Sequence, residues 1–216
     1  MRARRYGTEA TFVDELAPGE PAMLREVLLA AFAAAGMQVR DVVPAADTLA
    51  VTHDETDAAA VARVVDQAWR EFANIEPRTA KRAHAATSTA AVVEIPVRYD
   101  GEDLQHIAEL ASLSVDEVIA LHAGGEYLAE FCGFAPGFSY LSGLPGTLHF
   151  ARRSTPRTRV PAGAVAIAAG YCAVYPRESP GGWHLLGTTS LVMWDVARAS
   201  PATLVPGTRV QFVRVD

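Results

Sequence analysis

The stretch PAGAVAIAAGYCAVYP, residues 161–176, contains two short β-rich runs, VAIAA and CAVYP, bounded by proline and glycine turns. Similar runs, TSLVMWDV and RVQFVRV, follow at residues 189–196 and 209–215. Eleven of the 16 glycines lie between Gly124 and Gly187, a density that breaks long helices. Short strands separated by such turns are typical of a compact antiparallel barrel or sandwich. The sequence therefore predicts a mostly β domain in this part of the chain.

The first part of the chain has a different hydrophobic period. Apolar residues recur at helical spacing in residues 21–36 and again from about Asp57, whereas residues 10–13, 39–43 and 48–54 favour short strands. The order β-α-β-β-α predicts a small two-layer α+β domain of ferredoxin-like type, which we assign to residues 1–76.

A linker and a helical insert are predicted between these parts. Residues 77–91 show no apolar period and are interpreted as the linker. The alternating strand VEIPVRY then begins a second domain over residues 92–216. Two helices are predicted at about 101–124, the second beginning at the capping box of Ser114 to Glu117.

Composition and charge exclude several classes of protein. The chain has 216 residues, of which 50% are hydrophobic and 20% charged, as in globular domains. We expect a cytoplasmic protein without a membrane segment, since no apolar run approaches about 18 residues and no signal-peptide core is present. A net charge of -6 favours neither nucleic acid nor anionic membranes as partners. The two cysteines and six histidines show no metal-ligand spacing, so no metal site is expected.

Two glycine- and proline-framed stretches are candidates for a site. CGFAPGFSYLSGLP, residues 132–145, carries three aromatic side chains that form either a core plug or a pocket wall. ARRSTPRTRVPAG, residues 151–163, carries four arginines that repel each other unless water, carboxylates or an anionic ligand compensates. It is either an anion site, with Arg157 as the better ligand, or a solvated edge strand.

A third stretch, YPRESPGGWHLLGTTS at residues 175–190, contains a histidine. A tight turn at residues 180–182 is predicted to present Trp183 and His184. His184 is a candidate general base or hydrogen-bond donor, and its alternative is a structural role. His122, at the end of a predicted helix, is either a site residue or a partner of the helix dipole. Residue types alone thus indicate a pocket without a mechanism.

The succession GFAPGFSYL, RRSTPRTRVPAGAVAI and YPRESPGGWHLLGTT resembles the family of the B-type subunit of 5-oxoprolinase, also called allophanate hydrolase subunit 1. That family includes an inhibitor of a sporulation histidine kinase and one half of the carboxyltransferase region of urea carboxylase. The resemblance implies a cyclophilin-like β-barrel and a C-type partner subunit with a related barrel. It also implies an A-type subunit as a further partner, and ATP-dependent hydrolysis of 5-oxo-L-proline to L-glutamate.

The resemblance also implies the site residues. The catalytic residues would be His184 and Arg157. The substrate-binding residues would be Phe134, Pro136, Gly137, Phe138, Tyr140, Arg152, Pro161, Gly163, Pro180, Gly181, Gly182 and Trp183. His122 and Thr188 are added as substrate-binding candidates from their residue types and places in the sequence, not from the resemblance. The chain departs from the family at Ala151, usually proline, at Tyr171 and Cys172, usually Gln-Thr, and at Thr188, often basic. These departures imply either a different ligand or a reduced activity.

We therefore expect a subunit of an ATP-dependent amidohydrolase that binds a small amide carrying a carboxylate. One alternative is a non-catalytic regulatory protein of the kinase-inhibitor type, favoured by the absence of a nucleophile motif. The other is a carboxyltransferase half of the urea-carboxylase type. The sequence has no biotin-attachment MKM, so biotin would have to arrive on another chain.

Overall fold

The computed structural model describes residues 2–17, 19–54, 58–74 and 92–216. The chain divides into two compact units, Met1–Ser88 and Thr89–Asp216. The predicted linker at 77–91 lies outside the described residues.

The first unit is a four-stranded antiparallel sheet with two helices. Its elements are β1 Arg2–Tyr6, β2 Ala10–Asp14, α1 Glu20–Ala34, β3 Asp41–Pro44, β4 Leu49–Thr52 and α2 Ala58–Ala73. The sheet order is β1-β2-β4-β3, so the predicted α+β class is confirmed. β1 is not predicted by the sequence, because RARRY has no apolar alternation. It pairs with β2 and occupies the outer position that the last strand takes in a β-α-β-β-α-β arrangement.

The two helices bury apolar stripes on this sheet. α1 contributes Leu24, Leu28 and Phe32, each one turn after the last, and α2 contributes Val61 and Val65 among others. They pack in one core with inward side chains of β2, β3 and β4.

The second unit is a β-barrel with helices inserted after its first strand. Its elements are β5 Val93–Val97, α3 Leu104–Ala111, α4 Val115–Ala123, β6 Tyr127–Cys132, β7 Ser139–Ser142, β8 Arg157–Val160, β9 Ala164–Ala168, β10 Tyr171–Val174, β11 Ser179–Gly181, β12 His184–Thr188 and β13 Arg209–Arg214. Seven strands form one sheet in the order β12-β9-β10-β7-β6-β13-β5, and β8 pairs with β11 in a two-stranded ribbon.

Two backbone hydrogen bonds bring the ends of this sheet together. The Arg98 N–H donates to the Thr188 carbonyl at 2.9 Å, and the Thr188 N–H donates to the Arg98 carbonyl at 2.8 Å. Gly187 permits this approach, since a Cβ there would lie 2.2 Å from the Arg98 carbonyl oxygen. The predicted barrel is therefore confirmed.

The capping box predicted at the start of α4 is present. The Ser114 hydroxyl accepts the Glu117 N–H at 3.2 Å, and the Glu117 carboxylate accepts the Ser114 N–H at 2.8 Å. These bonds satisfy backbone donors that the first turn of a helix leaves free.

Two apolar cores lie on the two faces of the seven-stranded sheet. The inner core receives buried side chains from all seven strands, and also from α3 and α4, so it fills the barrel. The outer core lies on the opposite face of β9, β10 and β12 and includes Val160 of the ribbon. Along β10 the side chains alternate: Cys172 and Val174 belong to the inner core, and Ala173 to the outer.

Two local predictions were wrong. Residues 189–196 form no strand, because their backbone pairing is limited to one isolated bridge between Trp194 and Ala202, with hydrogen bonds at Met193 and Asp195. The tight turn predicted at residues 180–182 is also wrong, since Ser179–Gly181 forms β11 and the chain bends just before it, at residues 176–177. A glycine pair permits either a turn or a close strand approach, and here the ribbon partner β8 selects the strand.

Within the described ranges, no helix has both the length and the hydrophobicity needed to cross a membrane.

Candidate functional site

Aromatic side chains from the first and third motifs, together with Phe131 of β6 and Tyr171 of β10, meet on the outer face of the barrel. We call this set the outer ring cluster: Phe131, Phe134, Phe138, Tyr140, Tyr171, Tyr175 and Trp183. The second motif contributes Val160 and Ala164 to the apolar core beneath these rings. All three motifs therefore meet on one face of the sheet.

A β-bulge in β6 brings Phe131 to this face. Ala129 pairs with Leu141 and Phe131 pairs with Tyr140, so one extra residue, Glu130, lies between them. Without the bulge, Phe131 would point inward like Ala129, because side chains alternate along a strand. Instead its ring stacks on Tyr140 with centroids 4.3 Å apart and an interplanar angle of 16°.

The rings differ in exposure: the buried rings support the cluster, and the more exposed rings form the surface that a ligand can contact. Phe138, Tyr175 and Trp183 are buried and meet edge to face, Phe138 lying 5.3 Å from Tyr175 and 5.6 Å from Trp183. Tyr140 and Tyr171 are half-buried. Phe134 is 58% exposed although its ring lies 5.2 Å from that of Phe138. The half-buried and exposed rings are the ones a ligand can touch.

Phe134 is held in an unusual backbone conformation. Its φ is +66°, in the left-handed region that a bulky side chain rarely adopts. Such strain persists where the surrounding structure enforces it, and it is concentrated at functional positions. The loop therefore presents an apolar ring to solvent at a conformational cost.

A small hollow lies at the end of the same loop. It measures about 240 Å³ and is lined by Pro136, Pro176, Arg177 and Trp194. Gly137 has a φ of +82°, and a Cβ there would lie 2.7 Å from the Trp194 Cβ. The absence of a side chain at this glycine thus lets Trp194 pack against the loop.

The remaining predicted glycines and prolines shape the ribbon and its surroundings. A Cβ on Gly181 would lie 2.2 Å from the Tyr175 hydroxyl, and one on Gly163 would lie 2.2 Å from the Thr189 carbonyl. Gly182 accepts a hydrogen bond from the Arg153 N–H at 2.8 Å. Pro161, just after β8, and Pro180, in the middle of β11, are exposed. These residues permit close backbone packing.

A buried carboxylate compensates two of the four arginines. Asp103, at the start of α3, is 3% exposed. Its Oδ1 accepts hydrogen bonds from Arg153 Nη1 at 2.6 Å and from Arg157 Nη2 at 2.8 Å, and its Oδ2 accepts the Leu185 N–H at 2.7 Å. Burial favours a raised pKa for Asp103, but these hydrogen bonds and the two positive charges outweigh it and lower the pKa.

Carboxylates compensate Arg157, which is one of the possibilities considered for the arginine segment. Its guanidinium also binds Glu102 Oε2 at 3.1 Å, whereas Arg159 pairs with Glu178 at 2.6 Å. Both arginines belong to β8, but one reaches the start of α3 and the other reaches the residue just before β11. Each of them therefore has its own acidic partner.

Arg152 differs from its neighbours. It is exposed and, in the described part of the chain, makes no ion pair. Burial raises the pKa of Tyr140 and of Tyr175, and the positive charge of Arg152 acts against this at both hydroxyls. The chain neighbours of Arg152 are bonded to Gly182 and His184, on either side of Trp183, so Arg152 is an uncompensated guanidinium next to the outer ring cluster.

His184 lies on the other side of the sheet from the rings. It pairs with Ile167, whose side chain belongs to the inner core, whereas the next residue, Leu185, belongs to the outer core. His184 is 6% exposed, and its Nε2 lies 2.9 Å from the Ala151 carbonyl oxygen, so Nε2 carries the proton and donates. Its Nδ1 is buried and has no hydrogen-bond partner in the described part of the chain.

His122 and Thr188 are not brought to the rings either. His122 is fully buried in the inner core, with Nδ1 2.8 Å from the Tyr99 hydroxyl and Nε2 3.2 Å from the Cys172 Sγ. Burial lowers the pKa of His122 to about 3, so the ring is neutral at physiological pH. Thr188, at the far end of β12 from His184, donates its hydroxyl to Asp100 at 2.9 Å.

The sequence reasoning missed Asp103 and Arg153. A signal for them exists, since residues 101–150 carry seven acidic side chains and no lysine or arginine, whereas residues 151–170 carry four arginines and no acid. Two adjacent segments of opposite charge favour ion pairs between them. The net charge of the whole chain hides this local asymmetry.

In the described ranges no group of three or more metal-ligating side chains comes together. The arrangement is suited to a small anion, because the unpaired Arg152 lies next to partly exposed rings.

Comparisons with known proteins agree with the motifs. The family described as carboxyltransferase domain, subdomain C and D, matches residues 1–204. The B-type subunit of 5-oxoprolinase from Escherichia coli O157:H7 is 43% identical over 148 residues, which make up 67% of this chain and 63% of that relative. The chain therefore matches less than two thirds of the relative's length.

Solved structures share the fold. TTHA0988 matches with a TM-score of 0.76 and 33% identity, over 96% of this chain and 40% of that one. The Kluyveromyces lactis urea carboxylase matches with a TM-score of 0.73 over 99% of this chain and 22% of that one, and at 14% identity this likeness concerns the fold alone. Because the family model covers residues 1–204, the chain belongs to the carboxyltransferase-domain family, subdomain C and D, and it is similar to the B-type subunit of 5-oxoprolinase.

Proposed function

We propose that this chain is one subunit of an ATP-dependent 5-oxoprolinase-type complex, which hydrolyses 5-oxo-L-proline to L-glutamate together with a C-type partner subunit. The E. coli relative, named as the B-type member of 5-oxoprolinase, supports this proposal, and the three motifs of the resemblance all lie in the second unit of this chain. An A-type partner would complete the complex.

The observation that carries the proposal is the unpaired Arg152 beside the outer ring cluster. 5-Oxoproline is a small, nearly flat lactam with one carboxylate. A guanidinium binds a carboxylate through two parallel hydrogen bonds, and aromatic faces pack on a flat ring. Arg152 would hold the carboxylate, and Tyr140, Tyr171 and Phe134 would contact the lactam.

The chemistry of the reaction sets what the complex must supply. ATP would phosphorylate the lactam oxygen and release ADP. Water would then add to the carbon that bears the phosphorylated oxygen, and the lactam C–N bond would break to give an acyl phosphate. A second water would hydrolyse the acyl phosphate to glutamate and phosphate. In this scheme the chain binds and orients the substrate and excludes water from part of it. ATP is a substrate of the complex, and we assign it no residue of this chain.

For two residues we propose roles that differ from those expected from the sequence. Arg157 is held by Asp103 and Glu102, so we assign it to the support of the site rather than to substrate charge. His184 is separated from the rings by the sheet, and its free Nδ1 would accept a proton only from a group that reaches the inner face.

The test is turnover by the reconstituted complex. The chain is co-expressed with its C-type and A-type partners, and ADP and glutamate are measured with and without 5-oxo-L-proline. We expect ADP release that depends on 5-oxoproline. Arg152→Ala should raise KM by about tenfold or more, since a charge-assisted hydrogen-bond pair is lost. Arg159→Ala, an exposed arginine in an exposed ion pair, is the matched control and should leave KM unchanged.

Absence of 5-oxoproline-dependent turnover with every partner combination would refute the proposed reaction. Equal KM values for the Arg152→Ala variant and the wild type would leave the reaction in place and remove the proposed site.

A second candidate function has one specific observation in its favour. The matching family is described by its carboxyltransferase domain, and the K. lactis urea carboxylase shares the fold. If the complex transfers a carboxyl group, its turnover should require a biotinylated partner chain and should be abolished by avidin. Turnover in the presence of avidin excludes this candidate.

A further inference from the structure

Asp103 lies at the centre of the contacts that hold the arginine segment. Its backbone N–H donates to the Leu185 carbonyl at 3.1 Å, and its Oδ2 accepts the Leu185 N–H at 2.7 Å. The start of α3 is thereby joined to β12 by a reciprocal pair of hydrogen bonds. Because Asp103 is buried, each of its bonds is worth more than it would be in water.

The segment that carries Arg152 is attached to the same place. On one side of Arg152, the Ala151 carbonyl accepts the His184 Nε2–H at 2.9 Å. On the other side, the Arg153 N–H donates to the Gly182 carbonyl at 2.8 Å. Both chain neighbours of Arg152 are thus bonded to the residues around the start of β12.

The side chains complete a closed circuit. Arg153 binds Asp103, Asp103 binds Leu185, and Leu185 follows His184, which binds Ala151. Arg157 joins the circuit through the same carboxylate oxygen of Asp103. Arg152 alone of these three arginines lies outside it.

The circuit also determines the charge that a ligand meets. Asp103 and Glu102 carry two negative charges against the two positive charges of Arg153 and Arg157. Of the three arginines Arg152, Arg153 and Arg157, a ligand at the outer ring cluster therefore faces one that is uncompensated rather than three. One guanidinium suits a single carboxylate, whereas three would favour dianions such as phosphate.

We infer that Asp103 is a positioning residue, which binds Arg153 and Arg157 so that Arg152, and neither of these two, presents its charge to a monocarboxylate at the outer ring cluster. This inference rests on the proposed function for the identity of the ligand. It assigns a specificity role to a carboxylate that does not itself touch the substrate.

The test is a double-mutant cycle in the reconstituted complex. Asp103→Asn keeps the shape of the side chain and removes its charge. We expect KM for 5-oxo-L-proline to rise about tenfold with kcat within about twofold, and inhibition by inorganic phosphate to strengthen by a similar factor. Asp116→Asn is the matched control, since Asp116 is exposed and pairs with the exposed Arg214, and it should change none of these values.

Coupling and rescue separate positioning from general damage. The Asp103→Asn/Arg152→Ala double variant should have the KM of Arg152→Ala alone within about twofold, because both changes remove one interaction. If the KM of the double variant rose by the product of the two single-variant increases, the inference would be overturned. A phosphate inhibition constant unchanged in Asp103→Asn would also overturn it. Asp103→Glu keeps the charge and should restore at least part of the specificity; no restoration would also overturn it.

A measurement without turnover keeps the inference distinguishable from the proposed reaction. In the full chain labelled with ¹⁵N-arginine, the Arg152 backbone N–H signal should show a reduced heteronuclear NOE in Asp103→Asn and an unchanged one in Asp116→Asn. If the complex shows no 5-oxoproline turnover but this NOE falls, the reaction is wrong and the positioning role stands. If the NOE is unchanged, the positioning role is wrong.

Discussion

The two faces of β10 differ in how far they enclose their polar and aromatic side chains. On the inner face Cys172 forms the end of a hydrogen-bonded chain with His122 and Tyr99. On the outer face Tyr171 and Tyr175 join a cluster that is only partly covered and that lies beside the unpaired charge of Arg152.

The difference shows which titratable groups serve stability and which can serve binding. Burial lowers the pKa of His122 and raises the pKa of Cys172 and of Tyr99, so all three stay neutral inside the barrel. A strongly shifted pKa here reports enclosure by apolar side chains. The outer face carries smaller shifts, but it offers exposed rings and a cation to a ligand.

The largest expected effect concerns the inner face and pH. The folded-state pKa of His122 is about 3, against 6.5 for the unfolded chain. As pH falls below 6.5, His122 is protonated in the unfolded chain but not in the folded chain. Acidification therefore lowers the free energy of unfolding. This histidine should lower the unfolding free energy by about 1.4 kcal/mol per pH unit between about pH 6 and pH 4.

Urea unfolding of the wild type and of His122→Gln at several pH values checks this expectation. The variant should be less stable at pH 7 and should lack this part of the slope, whereas the exposed His106→Gln should keep it. An NMR titration of the wild type gives an independent reading: a His122 ring that protonates near pH 6 contradicts the proposed enclosure.

An intermediate effect is expected where the ribbon meets the outer ring cluster. Gly181→Ala places a Cβ 2.2 Å from the Tyr175 hydroxyl, so either the ring or the ribbon must shift. We expect a loss of about 1–3 kcal/mol, typical of overpacking. Gly146→Ala, where a Cβ meets nothing within 4 Å, is the control for the loss of glycine itself. Equal unfolding free energies for the two variants would show that the contact is not restrictive.

The smallest effect concerns the strained loop of the outer face. Asparagine tolerates a positive φ better than alanine does, so Phe134→Asn should be more stable than Phe134→Ala by about 1 kcal/mol or less. Both variants remove the exposed ring, and both should weaken 5-oxoproline binding to the complex to the same degree. Thermal unfolding and calorimetric titration measure the two quantities. Greater stability of the alanine variant would mean that the backbone at this residue is not strained.

Much of the fold could be predicted because it depends on local patterns. The apolar stripes of α1 and α2 and the capping box of α4 are visible in the sequence and are present in the structure. β1 could not be predicted because its place depends on pairing with β2 and not on its own residues. Residues 189–196 resemble a strand in composition, but no neighbouring strand pairs along their length.

The site could be predicted only in part, because the facing of side chains depends on register. The motifs indicated the rings of Phe138, Tyr140 and Trp183, which do meet. His184 follows Trp183 directly and therefore points to the opposite face, as a strand requires. The pairing of Arg157 with Asp103 joins residues 54 positions apart, and no local pattern specifies such a contact.

The bulge at Glu130 also determines which kinds of change β6 can accept. A substitution there alters one side chain, but deletion of a single residue would exchange the facing of everything beyond it and drive the Phe131 ring into a barrel that is already full. A single-residue deletion at this point of β6 should therefore be tolerated less well than a substitution.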